Sequence, residues 1–141
     1  MADVESRPAQ RSRTTTAERP LSPHLEVYTL SLTMIMSGLH RITGAVLCFG
    51  ILLLTWWLVA LSGDAGSFQT AANVLGSWFG RFVIFGFSWT LFHHLMGGIR
   101  HAIWDTGRGM DHPEREQLAL ASIVGSLTIT SIVWIVALVI G

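Results

Sequence analysis

The sequence predicts an all-α integral membrane protein built on three transmembrane helices, and three observations carry that expectation. Half of the 141 residues are apolar and only 13% are charged, and the mean hydropathy is positive, too greasy for a soluble domain of this size. Three apolar segments, about residues 34–61, 79–104 and 118–140, each reach the roughly 20 residues that a helix needs to cross a ~30 Å hydrocarbon layer. Charged side chains lie at the ends of those segments or outside them, as the cost of an ionised group at membrane depth requires.

Taken in order, residues 1–18 hold Arg7, Arg11 and Arg13 among Ser and Thr. Asp3, Glu5 and Glu18 break the acid-poor pattern of a transit peptide, so this stretch reads as a disordered cytoplasmic tail ahead of a membrane domain over residues 19–141. Pro20 and Pro23 bracket a turn at Ser22-Pro23-His24, and residues 26–33 approach the first span along the membrane interface. That first apolar run starts too late and runs too long for a signal-peptide core, and it lacks a convincing cleavage site, so it stays in the mature chain.

The first connection, residues 62–77, contains Gly63, Asp64, Gly66 and Asn73 but no arginine. The second, residues 105–117, carries Arg108 and Arg115 and adjoins Arg100. The positive-inside rule therefore puts the N-terminus and the second connection on the cytoplasmic side, or the equivalent matrix side, and the C-terminus outside. Trp56, Trp57, Trp78 and Trp104 fall near span ends, where amphipathic rings favour the headgroup region; Trp89 and Trp134 lie deeper and read as packing residues.

Several function classes are excluded early. Formal net charge is zero and no basic stripe exists beyond the N-terminal tail, so nucleic-acid binding has no support. The lone Cys48 cannot make an internal disulfide or a thiolate cluster, and its apolar setting favours inert packing. His24 and His112 stand beside Pro23 and Pro113, outside the spans, and read as solvated loop residues.

Chemistry concentrates in two runs. In the second span His94, Gly97, Gly98 and His101 recur at i, i+3, i+4 and i+7, forming one helix face with imidazoles at its ends and a flat gap between. A haem needs that combination: an imidazole nitrogen for the iron, and small residues that let a rigid macrocycle approach the backbone. Close helix–helix packing is the plainer use of a glycine pair. His93 sits about 100° around the helix from His94, so both cannot face one iron, and His93 reads as a hydrogen-bonded interior residue.

In the first span Ser37, His40 and Arg41 recur at i, i+3 and i+4 at the cytoplasmic end. The second span brings Arg100 and His101 back to the same side, so the two polar clusters can meet. Together they offer cations for haem propionates, and a hydroxyl and an arginine that could polarise a quinone carbonyl; two isolated arginines would merely snorkel to lipid headgroups. Asp105 either orients His101, pairs with an arginine, or is a solvated boundary charge. His40 lies near the surface while His94 is about 10 Å deeper than His101 along its helix, so a second axial ligand is expected from another subunit.

These runs carry a resemblance. Arg19-Pro20-Leu21-Ser22-Pro23-His24-Leu25, then Ser37-x-x-His40-Arg41-x-Thr43-Gly44, then His94-x3-Gly98-Ile99-Arg100-His101-x-x-Trp104-Asp105-x-Gly107 together resemble the cytochrome b membrane-anchor subunit of succinate dehydrogenase, the larger of its two anchors, over about residues 19–141. The resemblance implies that His94 is an axial ligand of haem b, with the second histidine supplied by the smaller anchor subunit. It implies that Ser37 and Arg41 line a ubiquinone site, and that His40, Arg41 and His101 surround the haem propionates. It further implies a flavoprotein subunit that oxidises succinate and an iron–sulfur subunit that passes electrons on, with this chain holding both at a bacterial inner membrane and doing no succinate chemistry itself. Ala102, in place of a bulkier apolar residue, and His93, where some relatives carry an aromatic, depart from the pattern without touching the iron ligand.

Two other readings compete. A purely structural anchor without haem would hold soluble subunits through residues 19–29 and 105–116, and the presence of His94 weighs against it. A small proton transporter would need polar residues continuing across the bilayer, yet the outer halves of the spans carry little beyond Ser, Thr and Trp, with Arg81 at an end.

Overall fold

The computed structural model describes residues 29–140; the N-terminal tail, the Pro20–Pro23 turn, His24 and the start of the interfacial approach lie outside the described residues. Four helices follow in order: α1 (Leu32–Ser62), α2 (Ala65–Gly76), α3 (Trp78–Asp105) and α4 (Glu114–Ile140). The three long ones, of 31, 28 and 27 residues, are apolar enough and long enough to cross a membrane. At ~1.5 Å per residue they measure about 46, 42 and 40 Å, so their ends reach beyond the hydrocarbon into the headgroup zone. The chain is a multi-pass helical membrane protein.

Local chemistry sets the ends. Asp64 caps α2 by accepting the backbone N–H of Ser67 at 3.1 Å, and the Ser67 hydroxyl also donates to it. These two donors hold the exposed Asp64 carboxyl below its ordinary range. Ser77 caps α3 by accepting from the Gly80 N–H at 3.1 Å. After α3 the chain turns through Gly107 and Gly109, both at positive φ (78° and 73°), where a side chain would be strained. The Trp104 indole N–H donates to the Gly109 carbonyl at 2.8 Å and fastens that turn. Glu114 and Glu116 occupy the first turn of α4, where the helix dipole favours acidic groups; this third span thus begins four residues before the apolar run does.

Helix α3 is central, packed against both α4 and α1. Apart from Met36, the buried positions are small or polar, among them Thr43 and Gly50 on α1, Thr90, His93, Gly97 and Arg100 on α3, and Ala119, Ser122, Ser126 and Thr130 on α4. Among the described residues the buried apolar side chains are only Met36, Ala60, Ala71 and Ala119. Membrane bundles are held this way, because lipid is as apolar as leucine and the gain lies in close approach and interhelical hydrogen bonds. Gly50 shows how close: a Cβ there would lie 1.6 Å from the Phe87 ring. The hydroxyls of Ser122, Ser126 and Thr130 donate back to carbonyls of their own helix at 2.7–2.9 Å, so they enter the interface without an unmet donor. Trp134 packs edge-on against Phe85, ring centroids 5.4 Å apart. Large apolar side chains such as Phe49, Leu52, Val139 and Ile140 point outward and are exposed, and Cys48 is likewise exposed on α1.

Candidate functional site

One end of the α1–α3 contact gathers three of the chain's histidines. The His40 and His94 rings are stacked, centroids 4.0 Å apart and 6° from parallel. The His101 ring tilts against His40 at 5.3 Å, Trp104 stands edge-on to His101 at 5.2 Å, and the Arg100 guanidinium lies over the Trp104 ring at 5.2 Å. Axial rise along α3 had suggested that His40 and His94 sit at different depths. The crossing of α1 over α3 removes that separation.

His94 is oriented by α1. Its Nδ1 lies 3.1 Å from the His40 carbonyl oxygen and 3.3 Å from Thr43 Oγ1. Thr43 directs its own hydrogen to the Leu39 or His40 carbonyl, 2.9 Å each. Both partners of Nδ1 therefore accept, so Nδ1 carries the proton and Nε2 is left as the unprotonated nitrogen. A backbone carbonyl on one ring nitrogen, with the other free, is how a metal-binding histidine is fixed in tautomer and orientation. Thr43 is the residue that a search for ionisable side chains passes over, although its place three residues after His40 on one helix face was legible.

The structure divides the glycine pair. A Cβ at Gly97 would meet His40 Cδ2 at 2.2 Å, so Gly97 is the seat of the His40 ring and serves the α1–α3 contact. A Cβ at Gly98 would meet nothing within 4 Å, so Gly98 leaves bare backbone open beside His94. One glycine serves packing within the chain and the other lies in open space.

Of the remaining candidates, Ser37 is half-buried, while Arg41 and His101 are exposed. Ser37 and Arg41 make no hydrogen bond with a described residue, which leaves both available outward. Asp105 is exposed and forms no ion pair; among the described residues the one ion pair joins His112 and Glu116 at 3.2 Å in the second connection, so Asp105 neither orients His101 nor neutralises an arginine. His93 turns toward α4 while His94 meets α1, and it is 1% exposed. Its Nδ1 lies 3.3 Å from Ser126 Oγ, and because Ser126 gives its hydrogen to the Ile123 carbonyl, His93 is the donor.

Among the described residues His40 Nε2, Trp89 Nε1, Arg115 Nε, and Nε and Nη1 of Arg100 are buried without a hydrogen-bond partner. A buried guanidinium N–H left unpaired ordinarily marks a missing acceptor. Two apolar cavities of about 430 and 560 Å³ lie elsewhere, around Gly50, Leu53 and Phe87, and neither is lined by a histidine.

A bundle of three long apolar helices, with an oriented imidazole and an unpaired buried guanidinium at one end, defines a class: polytopic helical membrane proteins. Comparison with known proteins gives the family. Residues 15–134 match the model of the succinate dehydrogenase/fumarate reductase transmembrane subunit, and the chain belongs to that family; it is a subunit of an enzyme complex and not a catalyst by itself. It is 43% identical over 118 residues to the succinate dehydrogenase cytochrome b556 subunit of Paracoccus denitrificans, covering 84% of this chain and 91% of that one. It is 33% identical to the b556 subunit of Rickettsia felis, over 84% and 92%, and 36% identical to the mitochondrial cytochrome b560 subunit of Sus scrofa, over 86% and 72%.

Proposed function

We propose that this chain is the haem b-bearing anchor of a succinate:ubiquinone oxidoreductase in a bacterial inner membrane, holding a flavoprotein subunit and an iron–sulfur subunit at the cytoplasmic face beside a second, smaller anchor subunit. The observation that carries the reading is His94, with Nδ1–H held by the His40 carbonyl and Thr43 and Nε2 free. The residues present suit haem: one fixed imidazole, an open glycine at 98, and unpaired buried nitrogens on His40 and Arg100 facing no described partner. When bound, haem b, shared with the smaller anchor, would supply a reversible one-electron store.

The chain's own part is binding and charge. His94, kept from turning by its Nδ1 contacts to α1, would hold the iron through Nε2. His40, Arg41 and His101 surround the propionates, and their donors offset the cost of placing carboxylates at the membrane edge. Ser37 and Arg41 hydrogen-bond a quinone oxygen, so that negative charge arriving with the electrons meets a hydroxyl and a guanidinium already in place. Arg108 and Arg115 in the second connection, against an arginine-free first connection, support a cytoplasmic N-terminus and a periplasmic C-terminus.

The test is a reduced-minus-oxidised absorption spectrum of the purified complex with succinate–quinone reductase activity measured in parallel. His94→Ala is expected to abolish the haem b band. Ser37→Ala and Arg41→Gln are expected to retain it while raising KM for quinone. An undiminished band in His94→Ala, or unchanged quinone kinetics in both of the others, defeats the corresponding assignment.

A further inference from the structure

Arg100 is 2% exposed, yet Nε and Nη1 have no hydrogen-bond partner and no described carboxylate pairs with it. A guanidinium stays charged in proteins, and a buried charge without a counter-ion costs several kcal/mol. Within the spans an unpaired arginine therefore calls for an anion. The acidic groups nearest in sequence, Asp105, Asp111, Glu114 and Glu116, leave it unneutralised.

Its position narrows the choice of anion. Arg100 follows the buried His93 by seven residues, on the same face of α3. It rests on the Trp104 ring, at the same helix end as the His40–His94 stack. Six residues separate it from His94, about 9 Å along the helix axis, a distance that a macrocycle with its carboxylates on one edge can bridge. A lipid phosphate would find the exposed Arg41 or Arg108 before a guanidinium hidden between helices. His40 Nε2 is also buried without a partner, and in the tautomer protonated there it offers a further donor.

We propose that Arg100 is a haem-binding residue whose guanidinium takes a propionate carboxylate, sharing it with His40 Nε2; this rests on the haem reading above. No hydrogen bond holds the guanidinium in the chain alone, so none is lost when it turns to the carboxylate. A cation beside a propionate favours the reduced, less positive haem. Arg100 is thus a determinant of haem potential as well as of haem retention.

The experiment is a redox titration of the haem b band in the purified complex, with the redox-difference infrared spectrum of the propionate carboxylates recorded alongside, for wild type, Arg100→Gln and Arg100→Lys. Arg100→Gln is expected to shift the reduction equilibrium about tenfold toward the oxidised haem, 59 mV for one electron, and to move the carboxylate band. Arg100→Lys, a point charge in place of a fork, should shift the potential less and still move the band. A normal haem content with unmoved potential and band in Arg100→Gln overturns the assignment. If that variant does not assemble, a wild-type potential and band in Arg100→Lys do the same. A wild-type complex without a haem b band would instead sink the haem reading itself, so the two failures are distinguishable.

Discussion

Replacing Gly97 with alanine should open the α1–α3 contact, while the same change at Gly98 should not. At Gly97 the new Cβ would lie 2.2 Å from His40 Cδ2 and 2.9 Å from its Nε2, more than an ångström inside ordinary contact with the nearer atom. The obstacle is a ring stacked on His94 with the α1 backbone behind it, so relief requires His40 to leave the stack or α1 to move. Overpacking of this kind costs about 1–3 kcal/mol, and displacing α1 also shifts the His40 carbonyl and Thr43 that orient His94. At Gly98 the added methyl meets nothing within 4 Å in this chain, so any effect there reports a group from outside it. The assay is thermal unfolding of the purified complex in detergent, with haem b content read from the same samples. Gly97→Ala should lower the unfolding temperature and the haem content together, and Gly97→Ala/His40→Ala should recover stability but not haem. A Gly97→Ala complex as stable and as haem-replete as wild type would refute the seating of His40 on Gly97.

Further outcomes follow from particular contacts. Gly50→Ala places a Cβ 1.6 Å from the Phe87 ring and should destabilise the bundle, with Phe87→Ala restoring part of the loss in a double-mutant cycle; additive losses would contradict the contact. Ser126→Ala leaves the buried His93 Nδ1–H without its acceptor and should cost about 1–3 kcal/mol, seen as a lower unfolding temperature with the haem spectrum unchanged. The Asp64 cap titrates: its folded pKa is depressed by the Ser67 hydroxyl and then the Ser67 N–H, so the cap is fully present above the ordinary carboxylate value and is lost as pH falls through the lower, folded one. Hydrogen exchange of residues 65–70 should therefore hold its protection down into the acid range and lose it only below the ordinary value, whereas Asp64→Asn should show no such step.

The spans were legible because twenty consecutive apolar residues leave no alternative fold, and α1 and α3 end within two residues of the apolar runs. The start of α4 was less so, since Glu114-Arg115-Glu116-Gln117 reads as a polar connection although its acidic residues suit a helix N-terminus. Helix α2 was hidden for a related reason: at 12 residues it is too short to stand out as a span, and its signal was the cap Asp64 with Ser67. At the site, periodicity placed His94, Gly97, Gly98 and His101 on one face but did not separate Gly97 from Gly98. That division depends on where α1 crosses, which no property of α3 alone determines. The same crossing brings His40 onto His94, against the depth that axial rise suggested. Arg100 could be placed at the same end of the bundle as His40 and Arg41 from the order of the spans, whereas its burial without a partner emerges only when α1, α3 and α4 are assembled.

The central claim, that His94 offers Nε2 to haem iron, is tested most directly by chemical complementation. The complex carrying His94→Gly is purified and its reduced-minus-oxidised spectrum recorded with and without added imidazole. The band of six-coordinate haem b should be absent or severely reduced without imidazole and recover when imidazole fills the space of the lost ring. A full haem b band in His94→Gly without imidazole would contradict the account.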